Sequence, residues 1–304
     1  MGSVPSGAPA GARVRTWLRG PAVLAVTLFW WTTLLVGKLL LTPLPRHRPG
    51  WRRWVMRHWG RWTLYVAGGR RRVLGPGPAG PGLFVSNHLS YADILVLAGE
   101  VPGRFVAKAE IRDWPLIGWI CRSADVLFVD RGSRRDTARV AAEMQRALDA
   151  GDTVILFPEG TSTSGHALLP FRAPLLAPAA AANLPVHYGA VHYRTTRDDP
   201  PAFLAICWWG DMPLFPHLPN LLGLRRFEAT LRFGREPLRS ADRKQLARQL
   251  EQAVAGVFEP TVGYEPHSPH DPRPRHVVDA GEAASPGERG SSGRDGPAVS
   301  TGAS

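Results

Sequence analysis

Short apolar runs alternate with helical stretches from about residue 83 onward, and this alternation limits the possible folds more than any other feature of the chain. Strands that alternate with helices are typical of an α/β domain, in which a mostly parallel central sheet is flanked by helices. Reactive side chains in such a sheet gather at the carboxyl ends of the strands. Seven runs are predicted as strands: residues 83–86, 105–107, 126–129, 154–157, 186–191, 204–208 and 229–233.

Two helices of this region have recognisable boundaries. Over residues 133–150, Ser133 is a suitable N-cap, Asp136 follows three residues later as in a capping box, and Gly151 can end the helix. A last helix is predicted over residues 241–258, with its apolar positions toward the core.

The region before the sheet begins with an apolar stretch. It runs uncharged over residues 21–37 and continues past Lys38 to residue 41, which is close to the roughly 20 residues that span a bilayer. Arginines flank both ends, so the positive-inside rule assigns no orientation. A helix that enters one leaflet fits as well as one that spans the membrane.

A second helix is predicted over residues 51–66. Arginines 53, 57 and 61 lie mostly on one side of it, and such a basic, tryptophan-rich helix suits the headgroup region of a membrane. The alternative is a helix that packs on the globular domain with its arginines in solvent. The predicted apolar face carries Trp51, Trp54, Val55, Trp59, Trp62 and Val66.

The formal net charge of +12 indicates an anionic partner. Many basic residues lie beside the apolar stretch, which favours a lipid surface over nucleic acid. The two cysteines lack a CxxC partner and imply no disulfide framework, as expected of a chain that faces the cytoplasm.

Four regions are predicted from these patterns. Residues 1–12 are small and rich in Gly and Pro, and residues 261–304 are rich in Pro, Gly, Ser and charge, so both are expected to be disordered. Residues 13–70 form the predicted membrane-associated helical pair. Residues 71–260 form the predicted α/β domain.

The segment Asn87-His-Leu-Ser-Tyr-Ala-Asp93 follows directly after the first predicted strand. If a helix begins near Ser90, His88 lies at its start and Asp93 a little over one turn further. The carboxylate would accept a hydrogen bond from one imidazole nitrogen and leave the other nitrogen to take a proton. Such a pair activates a substrate hydroxyl without a protein nucleophile. By itself the spacing is weak evidence, because most such pairs lie on helix surfaces.

Three more charged residues, Lys108, Arg131 and Glu159, lie at or just after other predicted strand ends. Parallel strands end at one edge of a sheet, so these side chains are expected on one rim with His88. Two cations beside a histidine make an anion pocket. The alternative is four unrelated loop charges in solvent.

Four segments together resemble the sequence blocks of the glycerolipid (lysophospholipid) acyltransferases of the 1-acylglycerol-3-phosphate acyltransferase type. The order and spacing of the blocks agree, and the resemblance covers roughly residues 15–235. Residues 87–93 resemble the NHxxxxD block, residues 128–131 the second block, residues 157–161 the third and residues 184–186 the fourth.

The resemblance implies a role for each matching residue. His88 is the expected general base on the acceptor hydroxyl, held by Asp93, and the hydroxyl attacks the thioester of acyl-CoA or acyl-carrier protein. Pro185 is expected to shape the acyl-donor pocket, and no metal or other cofactor is implied. The helical pair is expected to dock on membrane lipids. The residues expected to bind the acceptor are Lys108, Arg131, Glu159, Gly160 and Thr161.

The implied reaction acylates 1-acylglycerol-3-phosphate to phosphatidic acid for phospholipid biosynthesis, at the cytoplasmic face of the inner membrane. One departure concerns the acceptor: many family members have an arginine after the third-block threonine, and this chain has Ser162. That arginine would help to hold a phosphate, and Arg172 is a candidate substitute in space. Glu-Gly-Thr followed by small polar residues also resembles relatives that acylate lyso-ornithine lipid, which is the alternative acceptor.

Three other functions fit the sequence less well. A non-catalytic membrane-binding protein would account for the tryptophan-rich helix but not for the strand-end charges. Nucleic-acid binding would need basic and aromatic residues on the folded domain, and here they lie near the apolar N-terminal region. A metal hydrolase lacks HExxH or a comparable spacing. Its ligands would come from His88, Asp93, His166, His187 and His192.

Overall fold

A seven-stranded sheet is the centre of the computed structural model, which describes residues 11–261 of the chain. The spatial order of the strands is β1-β7-β6-β2-β5-β3-β4, with these bounds: β1 (Gly69–Leu74), β2 (Leu83–Ser86), β3 (Arg104–Lys108), β4 (Leu127–Val129), β5 (Val154–Leu156), β6 (Val186–Thr195) and β7 (Phe227–Phe233). Neighbouring strands in this part of the chain are parallel, except that β6 and β7 are antiparallel. The predicted mostly parallel α/β fold is confirmed.

Helices cover both faces of this sheet. They are α1 (Ala12–Leu40), α2 (Arg48–Val66), α3 (Ala92–Glu100), α4 (Ile117–Ser123), α5 (Arg134–Asp149), α6 (Ala177–Ala181), α7 (Ala202–Ala205), α8 (Leu214–Gly223) and α9 (Arg243–Ala255). Successive side chains of a strand point to opposite faces. Phe84 of β2 therefore packs in one core with α2, α3 and α8, while Leu83 and Val85 pack in a second core with α5, α6 and α9.

Two helices begin directly after residues whose side chains cap them. The Ser133 hydroxyl accepts a hydrogen bond from the Asp136 backbone N–H and so caps α5. The Asp136 carboxylate accepts the backbone N–H of Asp130 at 2.7 Å, so the capping contact with Ser133 is made in one direction. Asp242 caps α9 through backbone N–H groups of its first turn.

Two parts of the strand prediction are wrong. Residues 204–208 are the end of α7 and the irregular segment after it, not a strand. Ile206 and Cys207 are fully buried there, which accounts for the apolar run. Strand β1 is absent from the prediction because its sequence is rich in arginine. It is an edge strand paired with β7 and keeps most of its side chains in solvent, so it lacks an apolar pattern.

Helix α1 is 29 residues long, and within residues 11–261 it is the one helix long and apolar enough to cross a membrane. Only 11% of the most apolar 18-residue segment of this helix is buried in the protein. Its first turns nevertheless pack on α8. Arg15 Nε donates to the Gly223 carbonyl at 2.9 Å, and Arg19 donates to the Leu222 carbonyl at 3.1 Å. Two of the flanking arginines therefore interact with the carboxyl end of a helix.

Helix α2 packs between α1 and α3, as the alternative interpretation of its sequence proposes. The indole N–H groups of Trp51 and Trp59 donate to oxygen atoms of α1 at 3.3 and 3.2 Å. Trp54 and Trp62 remain exposed, although the Trp54 ring also contacts Trp30 of α1, with ring centroids 5.5 Å apart. The tryptophans of this helix are thus divided between the interior and the surface.

Asp152 lies just before β5, at the edge of the sheet where the parallel strands begin, which we call the amino edge. Its carboxylate joins α2 to this edge. It is 2% exposed and contacts Arg52, which is 1% exposed. Arg104 Nε of β3 lies 2.8 Å from Asp152 Oδ2, and Arg53 lies 3.6 Å from the other carboxylate oxygen. Burial lowers the pKa of Arg52, while Asp152 opposes that change. The sequence offers no sign that Arg52, in a helix predicted to lie at the membrane surface, is an interior residue.

The predictions of disorder for residues 1–12 and 261–304 lie outside the described residues, apart from the residues at their inner ends. Ala12 begins α1, and Thr261 donates its backbone N–H to the Gly165 carbonyl at 2.8 Å. The boundaries proposed at residues 70 and 260 stay predictions.

Candidate active site

His88 and Asp93 meet at the carboxyl edge of the sheet, directly beyond β2. His88 Nδ1 lies 2.7 Å from Asp93 Oδ2. Asp93 is the second residue of α3, so its carboxylate turns back toward the loop that carries the histidine. A carboxylate accepts the Nδ1 proton and leaves a lone pair on Nε2. The His88 side chain is 19% exposed, so a substrate can approach it.

Four hydrogen bonds hold the fully buried Asp93 carboxylate. Besides His88, Oδ2 accepts the backbone N–H groups of Leu89 at 2.7 Å and Ser90 at 3.0 Å. Oδ1 accepts the Tyr193 hydroxyl at 2.7 Å. These bonds offset the cost of burying a carboxylate. Burial, assisted by the nearby Asp93 charge, raises the pKa of Tyr193 well above its usual value, so the phenol stays a donor.

Strand β6 brings Tyr193 to the site because it continues to Thr195, well beyond the end of β2 at Ser86. Asn87 extends the pairing of the two strands with its side chain. Its amide oxygen accepts the Val191 backbone N–H at 2.7 Å, and its amide nitrogen donates to the Val191 carbonyl at 3.0 Å. Asn87 thus holds the end of β2, and with it the adjacent histidine, against β6.

Glu159 supports the loop that carries His88. Its Oε1 accepts the His88 backbone N–H at 2.7 Å, and its Oε2 accepts the Leu169 backbone N–H at 2.9 Å. The side chain is 2% exposed, and burial raises the pKa of Glu159 to about 8 although both hydrogen bonds lower it. The resemblance implies that Glu159 binds the acceptor headgroup. Here both oxygens are bound to the backbone, so the side chain positions the loop.

The imidazole of His88 also has an apolar support. The Phe157 ring stacks on it, with ring centroids 4.1 Å apart and planes 16° apart. Phe157 directly follows β5, so the strand next to β2 supplies the ring that packs against the His88 imidazole. The stack and the Asp93 contact together limit rotation of the imidazole.

The loop that follows β5 and the segment that follows α7 are connected by hydrogen bonds to backbone carbonyls. The Ser162 hydroxyl donates to the Trp208 carbonyl, and the Trp208 N–H donates to the Leu89 carbonyl at 2.8 Å. Thr163 donates its backbone N–H to the His88 carbonyl at 2.9 Å. Ser162 is therefore occupied in holding the loop.

The rim residues follow the order of the strands. Because β2, β5, β3 and β4 are successive neighbours, His88, Glu159, Lys108 and Arg131 succeed one another along one edge. Strands lie about 4.8 Å apart, so the last two residues follow strands roughly 10 and 14 Å from β2. Lys108 Nζ lies 2.9 Å from Glu110 Oε1, and this exposed pair offsets the lysine charge.

Arg172 lies at the same rim. Its backbone N–H donates to the Pro158 carbonyl at 2.9 Å. Its guanidinium stands over Gly160, where an added Cβ would lie 3.1 Å from Arg172 Nε. Gly160 also has a φ of +81°, which disfavours any other residue. Thr161, the next residue, is exposed beside this contact.

Pro185 lies at the opposite edge of the sheet from His88. It precedes β6, which is parallel to β2 and pairs Val186 with Leu83 at the start of that strand. The length of the four-residue strand β2 therefore separates Pro185 from His88, and the contribution of Pro185 to the acyl-donor pocket stays a prediction.

Comparison with known proteins decides the family. The Acyltransferase family model matches residues 70–188. The lyso-ornithine lipid O-acyltransferase of Pseudomonas aeruginosa is 37% identical over 253 residues, which are 80% of this chain and 93% of that protein. The chain belongs to the lysolipid acyltransferase family.

Other members of the family act on another acceptor by name. The 1-acyl-sn-glycerol-3-phosphate acyltransferase of Neisseria gonorrhoeae is 30% identical over 192 residues, covering 60% of this chain and 72% of that protein. The crystal structure of the 1-acyl-sn-glycerophosphate (LPA) acyltransferase PlsC from Thermotoga maritima has the same fold, with a TM-score of 0.54 and 22% identity. It covers 81% of this chain and 99% of that one.

The histidines considered as metal ligands are not gathered in this acyltransferase. Among residues 11–261, no group of three or more His, Cys, Asp or Glu side chains could hold a metal ion. His192 contacts Glu259, with its Nδ1 3.0 Å from the Glu259 carbonyl oxygen. His88 uses one ring nitrogen for Asp93.

Sequence reasoning about this acyltransferase missed Tyr193. The tyrosine lies two residues after Val191 on the same buried face of β6, and this alternation indicates only a core position. Its contact with Asp93, 100 residues earlier, depends on β6 being the neighbour of β2.

Proposed function

We propose that this acyltransferase moves a fatty acyl group from a thioester donor to the free hydroxyl of lyso-ornithine lipid. The reaction type rests on the 2.7 Å contact between His88 Nδ1 and Asp93 Oδ2, which leaves Nε2 as the base at an accessible position. The name of the Pseudomonas aeruginosa relative, which this chain matches over most of its length, supports the acceptor.

The transfer replaces the thioester bond of the donor with an oxygen ester bond to the acceptor. The acceptor hydroxyl gives its proton to His88 Nε2 as its oxygen attacks the thioester carbonyl carbon. Asp93 stabilises the imidazolium that forms. The tetrahedral intermediate then collapses, the C–S bond breaks, and the departing thiolate takes the proton from Nε2. The products are an oxygen ester and a free thiol, and His88 is restored.

The proposed donor is acyl-CoA or acyl-carrier protein. Both present the acyl group as a thioester whose carrier is anionic. A chain with a formal net charge of +12 attracts either carrier by long-range electrostatics. Comparison of the two donors at equal acyl-chain length identifies the preferred one.

The second candidate acceptor is 1-acylglycerol-3-phosphate, with phosphatidic acid as the product. The Neisseria relative of that name favours it. Arg131 and Arg172 at the rim also suit a phosphate, since guanidinium groups bind oxyanions through paired N–H donors.

We place the protein at the cytoplasmic face of the inner membrane. The exposed side of α1 supports membrane contact, because Trp17, Leu18 and Leu39 are 79%, 69% and 73% exposed. A lipid surface would cover this apolar side of the helix.

An acceptor panel tests the proposed function. Purified full-length protein receives a labelled acyl donor and, separately, lyso-ornithine lipid, 1-acylglycerol-3-phosphate and lysophosphatidylcholine, and products are identified by mass. We expect the highest kcat/KM with lyso-ornithine lipid. A higher value with 1-acylglycerol-3-phosphate would select the second acceptor, and absence of transfer to every lysolipid would refute the proposal.

A further inference from the structure

Helix α4 and the residue before it expose large apolar side chains to solvent. Trp119 of this helix is 64% exposed, and Leu116, directly before the helix, is 44% exposed. Gly118 is buried between them, and a Cβ added there would lie 2.1 Å from the Arg112 carbonyl oxygen. The helix therefore packs too closely on the preceding turn to rotate Trp119 inward. Large apolar side chains grouped at the surface mark a site of contact with a partner or with lipid.

Leu116 is held at the surface by a strained turn. Its φ is +61° and its ψ is −55°, and the Ile117 backbone N–H donates to the Pro115 carbonyl at 2.6 Å. This geometry is the rare, strained form of the γ-turn. The other non-glycine residues with a positive φ in the described part of the chain are Asp125 and Asn183, two residue types that tolerate it. Strain at an exposed leucine indicates that function requires the side chain at this place.

The apolar surface of α4 continues that of α1. The ring centroids of Trp31 and Trp119 lie 6.4 Å apart, and Trp31 Nε1 donates to the Ser123 hydroxyl at 2.8 Å. Lys38 Nζ, near the end of α1, donates to the Ser123 carbonyl at 2.6 Å. Leu35, one turn after Trp31, is exposed. A surface that covers the apolar side of α1 would therefore also meet α4.

Two exposed arginines flank the apolar residues of α4. Residues 111–122 contain Arg112 and Arg122 and a single carboxylate, that of Asp113. Both arginines contact uncharged groups: Arg122 donates to the Arg112 carbonyl, and the Arg112 guanidinium lies 5.7 Å from the centroid of the Phe128 ring. Basic residues beside tryptophan and leucine are typical of elements that lie in the headgroup region of an anionic membrane.

We propose that Leu116 and Trp119 enter the headgroup region of an anionic bilayer beside α1, so that α4 is a further membrane contact of this acyltransferase. This inference rests on the proposed membrane location. Arg112 and Arg122 would lie at the level of the lipid phosphates. A single helix can rotate about its axis in lipid, and α4 connects β3 to β4, so the added contact fixes the orientation of the sheet on the membrane. A fixed orientation presents His88 to lysolipid that remains in the bilayer.

The depth of labelled positions in a bilayer tests this placement without any substrate. Full-length protein that carries Cys121→Ser receives a fluorescent label at Leu116→Cys or Trp119→Cys, while Cys207 is fully buried. Ala142→Cys is the control, because Ala142 is exposed on α5, which packs in the second core, away from α1. The protein is reconstituted into vesicles of phosphatidylglycerol and phosphatidylethanolamine, with and without lipids that carry a nitroxide quencher at the headgroup.

We expect the labels at positions 116 and 119 to lose roughly half of their emission to the quencher, because an interfacial element lies roughly 5–10 Å into the headgroup boundary. The label at Ala142→Cys should keep its emission. Quenching at positions 116 and 119 that is no stronger than at position 142 would overturn the proposal.

Activity on two forms of the acceptor gives a second test, with unlabelled protein in the same vesicles. Leu116→Ser combined with Trp119→Ser should lower kcat/KM about tenfold for acceptor embedded in the bilayer, because apolar burial holds the bound orientation. The value for a short-chain acceptor dissolved in water should stay at that of the parent. Val73→Ser is the control and should match the parent with both acceptors, because Val73 is an exposed apolar residue of β1, at the other end of the sheet from β4.

Equal losses with the embedded and the dissolved acceptor would assign α4 a structural role and overturn the proposal. Two other results would overturn it as well. A loss confined to transfer from acyl-carrier protein, with transfer from acyl-CoA intact, would assign the surface to the donor protein. A dimer in detergent that the two substitutions dissociate would assign it to a second copy of this chain. Failure of the proposed function is recognised separately, because quenching of the labels requires no acyl transfer.

Discussion

Two buried aspartates at opposite edges of the sheet are held in different ways. Asp93, at the carboxyl edge, is bonded to two backbone N–H groups, the Tyr193 hydroxyl and the His88 imidazole. Asp152, at the amino edge, is bonded to arginines, with Arg52 and Arg104 as its nearest partners.

The difference explains what each carboxylate can do. Arginines that surround Asp152 are always charged, so their pairing with it joins α2 to the strands permanently. Asp93 is held mostly by neutral donors, and its charge is available to stabilise an imidazolium on His88 when a proton arrives. A buried carboxylate thus serves structure or chemistry according to whether its partners can change protonation.

The largest expected effect is on catalysis at the carboxyl edge. His88→Ala should lower kcat by about 10²- to 10⁴-fold, the usual contribution of a general base, measured with the best acceptor of the panel. The melting temperature should remain near that of the parent protein. Substantial residual kcat would show that another group accepts the proton, and the contrast between the two edges would fail.

At the amino edge the effect should be on stability. Within residues 11–261, Asp152→Ala leaves the buried Arg52 with only the more distant Asp125 carboxylate at 3.7 Å, so the free energy of unfolding should fall by about 3–5 kcal/mol in a denaturant titration. Asp149→Ala is the control, because the carboxylate of Asp149 is exposed on α5 and bonds only Gln145 among the described residues. Equal stability of the two variants would contradict a structural role for Asp152.

A smaller effect is expected at Tyr193, which acts through Asp93. Tyr193→Phe removes one of the four donors and should lower kcat about tenfold, or ~1.4 kcal/mol, with little change in KM. The activity-pH profile should shift, because the carboxylate loses a bond that holds it toward the imidazole. Tyr188→Phe, on the opposite face of β6, should leave both kcat and the profile unchanged. A loss of stability without a change in the profile would show that Tyr193 is only a packing residue.

The last expected effect concerns the pH dependence of stability. Burial raises the pKa of Glu159 from an ordinary 4.5 to about 8, so the folded protein holds this proton more tightly than the unfolded chain does. Its contribution to stability is complete below pH 4.5 and is lost as the pH rises to about 8. Glu159→Gln should therefore show a flatter decline of unfolding free energy over this interval. Parallel curves for the two proteins would mean that Glu159 is already ionised at the lower pH.

The catalytic pair could be predicted because it is local. His88 and Asp93 are five residues apart, and the loop and helix start between them follow from short-range preferences. The same holds for the Ser133 cap. The rim of Lys108, Arg131 and Glu159 could also be predicted, because parallel strands place their carboxyl ends together whatever their order.

Other features depend on which strand lies beside which. The contact of Tyr193 with Asp93 requires β6 to pair with β2 and to extend past it, and the same parallel pairing places Pro185 at the far edge. The Glu159 carboxylate was expected to contact the acceptor. In the folded protein it accepts the backbone N–H groups of His88 and Leu169.

The sequence by itself determined the α/β class, the strand-end cluster and the histidine–aspartate pair, because these rest on periodicity and on hydrogen bonds between near neighbours. Only the tertiary structure decided how the carboxylates are partnered and where Arg172 stands. The physical reason is that a buried polar group is satisfied by whichever distant donor the packing brings to it, and that donor leaves no local pattern in the chain.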